Sequence, residues 1–320
     1  METKQQNGQR NFGCRLYWFM TRRCNFNCPY CFRESGSEKG MTSDSDCGKY
    51  GSEHIARRFD ETGKVWHIYM TGGEPLLYPN FVSLAELLTR GHYISLSTNL
   101  STANAFEFAD NIKSGRVIFI MANIHVLERD KIKDGIKEYL RKFLYFQDRG
   151  FNIKLVYVAY PPLFGRMERD IELFRKEGVR QIEVKVFQGK LEGRRFPRDY
   201  YEQERDFLIK LGLNDDERQV LDSRASFLGK KCSAGHIGFS MDPSGRITRC
   251  NTLDEEYGNM FEGTFRPGFS PRRCPAKKCV CLYQGTSLTN TVGVRVPSRI
   301  IAQPVKFSIA FAEALCRLRK

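Results

Sequence analysis

Residues 21–32 read TRRCNFNCPYCF. Cys24, Cys28 and Cys31 stand there at C-x3-C-x2-C spacing, with Tyr30 just before the third thiol. The preceding run, CRLYWFM at 14–20, is apolar and aromatic enough to read as a β-strand. The cysteines therefore occupy the loop that leaves the first strand. Three thiols on one loop suit a soft metal. A structural zinc asks for four ligands, and the nearest other cysteines, Cys14 and Cys47, lie beyond predicted elements on either side. An iron–sulfur cluster on three thiolates would instead leave one iron open to a further ligand.

Outward from this loop the chain alternates. Strands are predicted over about 14–21, 65–70, 92–98, 116–122, 153–159 and 182–187, and helices over about 43–61, 80–90, 103–113, 133–149, 166–177 and 200–212. Six β-then-α units predict an α/β fold with a parallel sheet and right-handed crossovers, a partial (β/α)6 TIM-like barrel. In such a barrel the chemistry gathers at the C-terminal ends of the strands. After about residue 222 glycine, proline and cysteine become frequent and periodicity fades. The expected organisation is a polar tail over 1–13, a core over 14–222, a small Cys-rich domain over 223–290, and an extension over 291–320 ending in an amphipathic helix at 306–319.

The 320 residues are 41% hydrophobic and include no run of about 18 apolar residues, so no membrane span is expected. The start, METKQQNGQRN, lacks the apolar stretch of a secretory signal, which points to the cytoplasm. In a reducing compartment eleven cysteines, an odd count, argue for metal binding or catalysis over disulfides. The net charge of +14 raises a nucleic-acid partner. Yet the basic pairs, such as Arg57-Arg58, Arg194-Arg195, Lys230-Lys231 and Lys277-Lys278, are scattered, which fits a solvated basic surface or an anionic substrate better.

The three-thiol spacing, MTGGEP at 70–75 ending the second strand, and STN at 97–99 ending the third together resemble the radical S-adenosylmethionine enzymes, over about residues 14–215. The resemblance implies that Cys24, Cys28 and Cys31 hold three irons of a 4Fe–4S cluster. The fourth iron would chelate S-adenosylmethionine, whose reductive cleavage gives a 5′-deoxyadenosyl radical that takes hydrogen from a substrate. Tyr30 would lie near the adenine, and Gly72 and Gly73 would let backbone approach the cofactor. Glu74 would accept from the methionine ammonium, and Ser97 and Asn99 would face the ribose or else cap the next helix. Phe187, between Val186 and Gln188 at the sixth strand end, would meet adenine through its backbone. A flavodoxin- or ferredoxin-type reductant is the implied electron donor.

Near the C-terminus Cys232 and Cys250 flank FSMDPSGRIT, a strand–turn–strand pattern that would bring the two thiols close. Cys274, Cys279 and Cys281 follow in CPAKKCVC. This resembles the auxiliary-cluster extension of the same enzymes, in its short "twitch" form rather than the fuller "SPASM" form. It implies a second 4Fe–4S cluster on Cys232, Cys250 and two of the other three, although the C-x4-C-x-C ending departs from both patterns. A structural zinc is the alternative. A spare thiol, with Cys281 the candidate, could return hydrogen to a substrate radical and make an epimerase. If all five serve the cluster, the cluster could accept an electron and make an oxidoreductase.

His125, just after the fourth strand, is a candidate substrate or acid–base contact, or simply a structural histidine. Tyr157, Tyr160, Lys185 and Arg166 lie at or near strand ends. About 23 residues precede Cys24, which leaves no room for a leader-binding domain. The expected reaction is therefore dehydrogenation or epimerisation of a small sugar- or aminocyclitol-like metabolite. Alternatives are modification of a peptide delivered by a separate partner and, from the charge, of a nucleic acid.

Overall fold

A computed structural model describes residues 13–31, 47–222 and 228–277. Six parallel strands run side by side in chain order: β1 (Cys14–Thr21), β2 (Trp66–Gly72), β3 (Tyr93–Thr98), β4 (Val117–Asn123), β5 (Ile153–Ala159) and β6 (Ile182–Val186). Each predicted strand forms, with ends shifted by at most two residues. The connecting helices are α1 (Ser52–Asp60), α2 (Phe81–Gly91), α3 (Asn104–Asn111), the single turn α4 (Val126–Arg129), α5 (Gly135–Asp148) and α6 (Phe164–Lys176). α1 is shorter than its pattern suggests, since residues 47–50 form turns and bends ahead of it. The α/β barrel-like layout expected from the alternation is present.

Strand pleating separates two faces. On the helix-covered face Trp18 is fully buried, with its ring 6.3 Å from Phe59, 5.8 Å from Tyr78 and 5.7 Å from Phe261. The other face is polar and aromatic. Tyr17 packs edge-on to Tyr69 at 4.9 Å, His67 shares a 2.8 Å hydrogen bond with Ser95, and Lys154 pairs with Glu183 at 2.9 Å. A face that carries ionisable groups is suited to receive a polar molecule rather than to serve as core.

Beyond β6 come a small hairpin, β7 (Gly189–Leu191) and β8 (Arg194–Phe196), then α7 (Glu202–Lys210) and α8 (Asp215–Leu221). The hairpin and α8 were not evident in the sequence. α8 covers the outer edge of β6, where Glu217 accepts from the Val186 N–H at 2.7 Å and from Lys185 Nζ at 2.9 Å. An exposed edge that would invite another strand is thereby closed.

The Cys-rich segment adds β9 (Lys231–Cys232), β10 (Gly238–Met241), β11 (Arg246–Cys250), β12 (Leu253–Asn259) and β13 (Arg272–Arg273). The expected hairpin forms: Asp242 accepts from the Ser244 N–H at 2.9 Å, and Gly245 turns at φ +87° where a Cβ would overlap Phe261. The Cys-rich segment is joined to the core through the sheet. β10 pairs in parallel with β1, from Arg15–Gly238 to Trp18–Met241, so β10, β11 and β12 continue the core sheet to nine strands. All described residues belong to one compact unit, Asn11–Val292. The terminal helix expected at 306–319 lies outside the described residues. Among the described residues no helix is long and apolar enough to cross a membrane.

Trp18 joins α1, β1 and the turn after β12 in one contact set. Trp18→Ala should cost about 3–5 kcal/mol, read as a lower urea midpoint with unchanged slope.

Candidate functional site

The Cys-loop is zipped to the end of β2 by backbone. The Gly73 N–H donates to the Thr21 carbonyl at 2.6 Å and the Glu74 N–H to the Arg23 carbonyl at 2.8 Å. A Cβ at Gly72, where φ is +131°, would stand 2.5 Å from the Thr21 oxygen, and one at Gly73 would overlap the Arg23 carbonyl. Their missing side chains admit the cysteine loop. From the other side Asn25 bonds Ser101 at 2.7 Å and accepts from Asn99 at 3.1 Å.

Glu74 is 1% exposed. Its Oε1 accepts from the Leu76 N–H at 3.1 Å and the Thr98 hydroxyl at 2.6 Å, and Oε2 accepts from the Asn99 N–H at 2.6 Å. A carboxylate has about four acceptor sites, so one on Oε2 remains for a ligand ammonium. Burial raises the carboxyl to about 7, against the pull of the Asn99, Thr98 and Leu76 hydrogen bonds and the charge of Arg129. Ser97 accepts from Asn123 Nδ2 at 3.0 Å, tying β3 to β4.

Arg129, which the sequence did not single out, is a buried charge beside the Cys-loop. It is 4% exposed; Nε donates to the Ile124 carbonyl at 3.3 Å, and the guanidinium also donates to the Asn99 carbonyl. Its Cζ stands 5.0 Å from the ring of Phe26, inside the Cys-loop, and 5.0 Å from Tyr139. A lone arginine in ANIHVLERDK offers no spacing from which this could be read.

The thiols themselves fit an iron–sulfur cluster. The Phe26 N–H donates to Cys24 Sγ at 3.5 Å, the kind of bond that stabilises thiolate. Burial raises the Cys28 thiol to about 12, with further upward push from Glu128, Cys24 and Cys31. These charges repel one another unless cations join them, and a bound metal takes ligands in deprotonated form. Among the described residues no three His, Cys, Asp or Glu side chains are set to hold a single metal ion.

Tyr30 is buried against His125, with rings stacked 5.8 Å apart, and against Tyr160 at 5.2 Å. His125 adopts a left-handed backbone (φ 46°), and its Nδ1 lies 3.3 Å from the Tyr30 hydroxyl. Burial and Arg129 lower its imidazole to about 4, so it is neutral at pH 7. The Phe187 N–H donates to the Tyr200 hydroxyl at 3.1 Å. Tyr157 and Arg166 both bind Asp170 of α6, at 2.9 and 2.6 Å.

In the C-terminal segment Cys232 faces Arg272 across β9 and β13, and the Cys274 N–H donates to the Lys230 carbonyl at 2.9 Å. These two thiols therefore sit on adjoining chain segments. Arg249, beside Cys250 and 4% exposed, donates to the Ala234 carbonyl at 3.2 Å and the Arg273 carbonyl at 3.3 Å, clipping both segments together. Cys232 Sγ accepts from the Ala234 N–H at 3.5 Å, as Cys24 does from Phe26. Cys279 and Cys281 lie outside the described residues.

A three-thiol loop locked onto a Gly-Gly-Glu turn at the mouth of a parallel α/β barrel defines a class of radical-generating iron–sulfur enzyme. Residues 18–177 match the model of the Radical SAM superfamily, and the chain belongs to that family. It uses S-adenosylmethionine with a 4Fe–4S cluster. A Methanocaldococcus jannaschii protein bearing the name of a glycyl-radical enzyme activating enzyme is 36% identical over 84 residues, 25% of this chain and 29% of its own length. The GTP 3′,8-cyclase of Haemophilus influenzae Rd is 35% identical over 79 residues, 23% of each chain. The chain thus aligns with less than a third of either relative. Among solved structures, anSMEcpe with bound AdoMet has a TM-score of 0.51 at 18% identity, over 79% of this chain and 80% of the other. SuiB of Streptococcus suis bound to S-adenosylmethionine has a TM-score of 0.55 at 12% identity, over 80% of this chain and 65% of the other. A further SuiB structure, bound to precursor peptide SuiA, has a TM-score of 0.53 at 12% identity.

Two measurements test the geometry. Gly73→Ala should part the Cys-loop from β2, lowering both iron content and melting temperature. For Glu74, the folded carboxyl at about 7 lies above the ordinary 4.5. Its contribution to stability is full below 4.5 and falls as pH rises towards about 7, as the unfolded chain ionises first. Wild type should lose on the order of 3 kcal/mol relative to Glu74→Gln across that window, then level off.

Proposed function

We propose that this chain cleaves S-adenosylmethionine reductively and abstracts hydrogen from a bound substrate, with a second iron–sulfur cluster assisting. The observation that carries the reading is the repeated sulfur environment: Cys24 and Cys232 each accept a backbone N–H from two residues on, at 3.5 Å. Two loops are then prepared for clusters in the same way. When bound, the cofactors supply the electron and the 5′-deoxyadenosyl radical.

The chain's own residues bind and orient. Cys24, Cys28 and Cys31 hold the first cluster, and the free acceptor site on Glu74 takes the methionine ammonium. Ser97 and Asn99, at the end of β3, face the ribose. Tyr30 and His125 form a stacked aromatic wall beside the Cys-loop, and neutral His125 contributes contact without a charge. Cys232, Cys250 and Cys274 begin the second ligand set, with Cys279 or Cys281 to complete it.

The outcome is oxidation where the second cluster takes an electron, or epimerisation where a spare thiol such as Cys281 gives hydrogen back. A small polar metabolite fits the ionisable lining of the barrel face, where Lys154, Glu183 and Lys185 pair. A peptide is the second reading, favoured by the shared fold with a protein solved bound to a precursor peptide. An electron donor of flavodoxin or ferredoxin type completes the cycle.

Anaerobic iron counting with a 5′-deoxyadenosine assay tests this. Wild type should hold about eight irons. Cys24, Cys28 and Cys31→Ala together should leave about four and abolish cleavage, whereas Cys232→Ala with Cys250→Ala should leave about four and retain it. A wild type with about four irons, all lost in the first variant, would remove the second cluster.

A further inference from the structure

The turn formed by residues 125–129 carries two buried, oppositely charged side chains that hydrogen abstraction does not itself require. Arg129 is 4% and Glu128 6% exposed. The Arg129 Cζ stands 5.0 Å from the ring of Phe26, two residues from Cys28, the most buried thiol of the loop; Glu128 acts electrostatically on Cys28, and Cys28 on Arg129. An arginine stays charged in a protein, and this one cannot swing away. Its guanidinium donates to the carbonyls of Ile124 and Asn99 and lies between the rings of Phe26 and Tyr139. The turn is equally fixed. His125 starts it in the left-handed region at φ 46°, and a Cβ at Gly135 would overlap the Arg129 carbonyl. Glu128 pairs with Lys131 at 2.7 Å, and Lys131, 64% exposed and partly screened by water, opposes Glu128 at Cys28.

We propose that this turn sets the reduction potential of the cluster at Cys24, Cys28 and Cys31, Arg129 favouring the reduced state and Glu128 opposing it. The proposal rests on the reading of those cysteines as cluster ligands. Reduction adds one electron, from a low-potential flavodoxin- or ferredoxin-type donor, and neither makes nor breaks a bond. The added negative charge is stabilised by a fixed cation nearby and penalised by a fixed anion, most strongly where water is excluded. Charge and hydrogen bonding around the sulfurs are the protein's means of tuning such a centre. Arg129 also faces Glu74, so it offsets part of that carboxylate's field at the same place.

The test is a mediator-buffered dithionite titration of the reconstituted full chain, followed by electron paramagnetic resonance of the reduced cluster. Variants lacking Cys232 and Cys250 leave the Cys-loop signal alone. Arg129→Gln should shift the midpoint to more negative potential by at least about tenfold in the reduction equilibrium, about 59 mV for one electron. Arg129→Lys should stay near wild type, because the charge remains. Glu128→Gln should shift the midpoint the other way. If Arg129→Gln fails to load iron, Glu128→Gln decides alone. An unmoved midpoint in a fully loaded variant overturns the proposal. A wild type that binds no cluster at the three cysteines overturns the underlying reading instead, and iron content separates the two.

Discussion

One guanidinium organises the catalytic end of the sheet. Arg129 reaches the chain just beyond β3 at Asn99 and beyond β4 at Ile124, rests on Phe26 of the loop after β1, and faces Glu74 after β2. Four successive strand ends thus converge on one buried cation. Burying that cation costs free energy, and carbonyl acceptors, aromatic faces and a neighbouring carboxylate offset the cost. Removing any one of them would leave polar groups without partners in a dry place. The precision of the Cys-loop is in this sense held from beneath.

The C-terminal segment repeats the solution. Arg249 clips the chain beside Cys232 to the chain beside Cys274, as Arg129 clips β3 to β4. In both places the arginine bonds to carbonyl oxygens, whose positions follow the backbone rather than any side chain. A planar fork with five donors can hold two carbonyls at once, which lysine cannot do with the same fixed geometry.

These two arginines also mark the limit of what could be read in the sequence. TRRCNFNCPYCF and MTGGEP were legible because their meaning lies in local spacing. The strands were legible because pleating imposes a period on the residues. Arg129, Arg249 and the edge cover by Glu217 depend on partners distant in the chain, and single charged residues carry no period. Gly72 and Gly73 fall between the two cases. Their importance was visible, but their neighbours, the carbonyls of Thr21 and Arg23, were not. The pairing of β10 with β1 was hidden for a related reason, since composition changes after 222 while the hydrogen-bonded sheet continues. Phe187 was placed at the right strand end, yet its N–H is satisfied by a tyrosine thirteen residues on.

The pairing of β10 with β1 makes a strand into a ruler. Gly238 lies opposite Arg15, at the start of β1, and β11 runs back so that Cys250 returns to about that level. Cys24 lies past the other end, beyond Thr21. From Arg15 to Thr21 the backbone rises about 3.3 Å per residue, or about 20 Å in all. The two sulfur-bearing loops are thus held at opposite mouths of one half-barrel, with the polar face of the sheet running between them. The distance between the two loops is written in the length of a single strand.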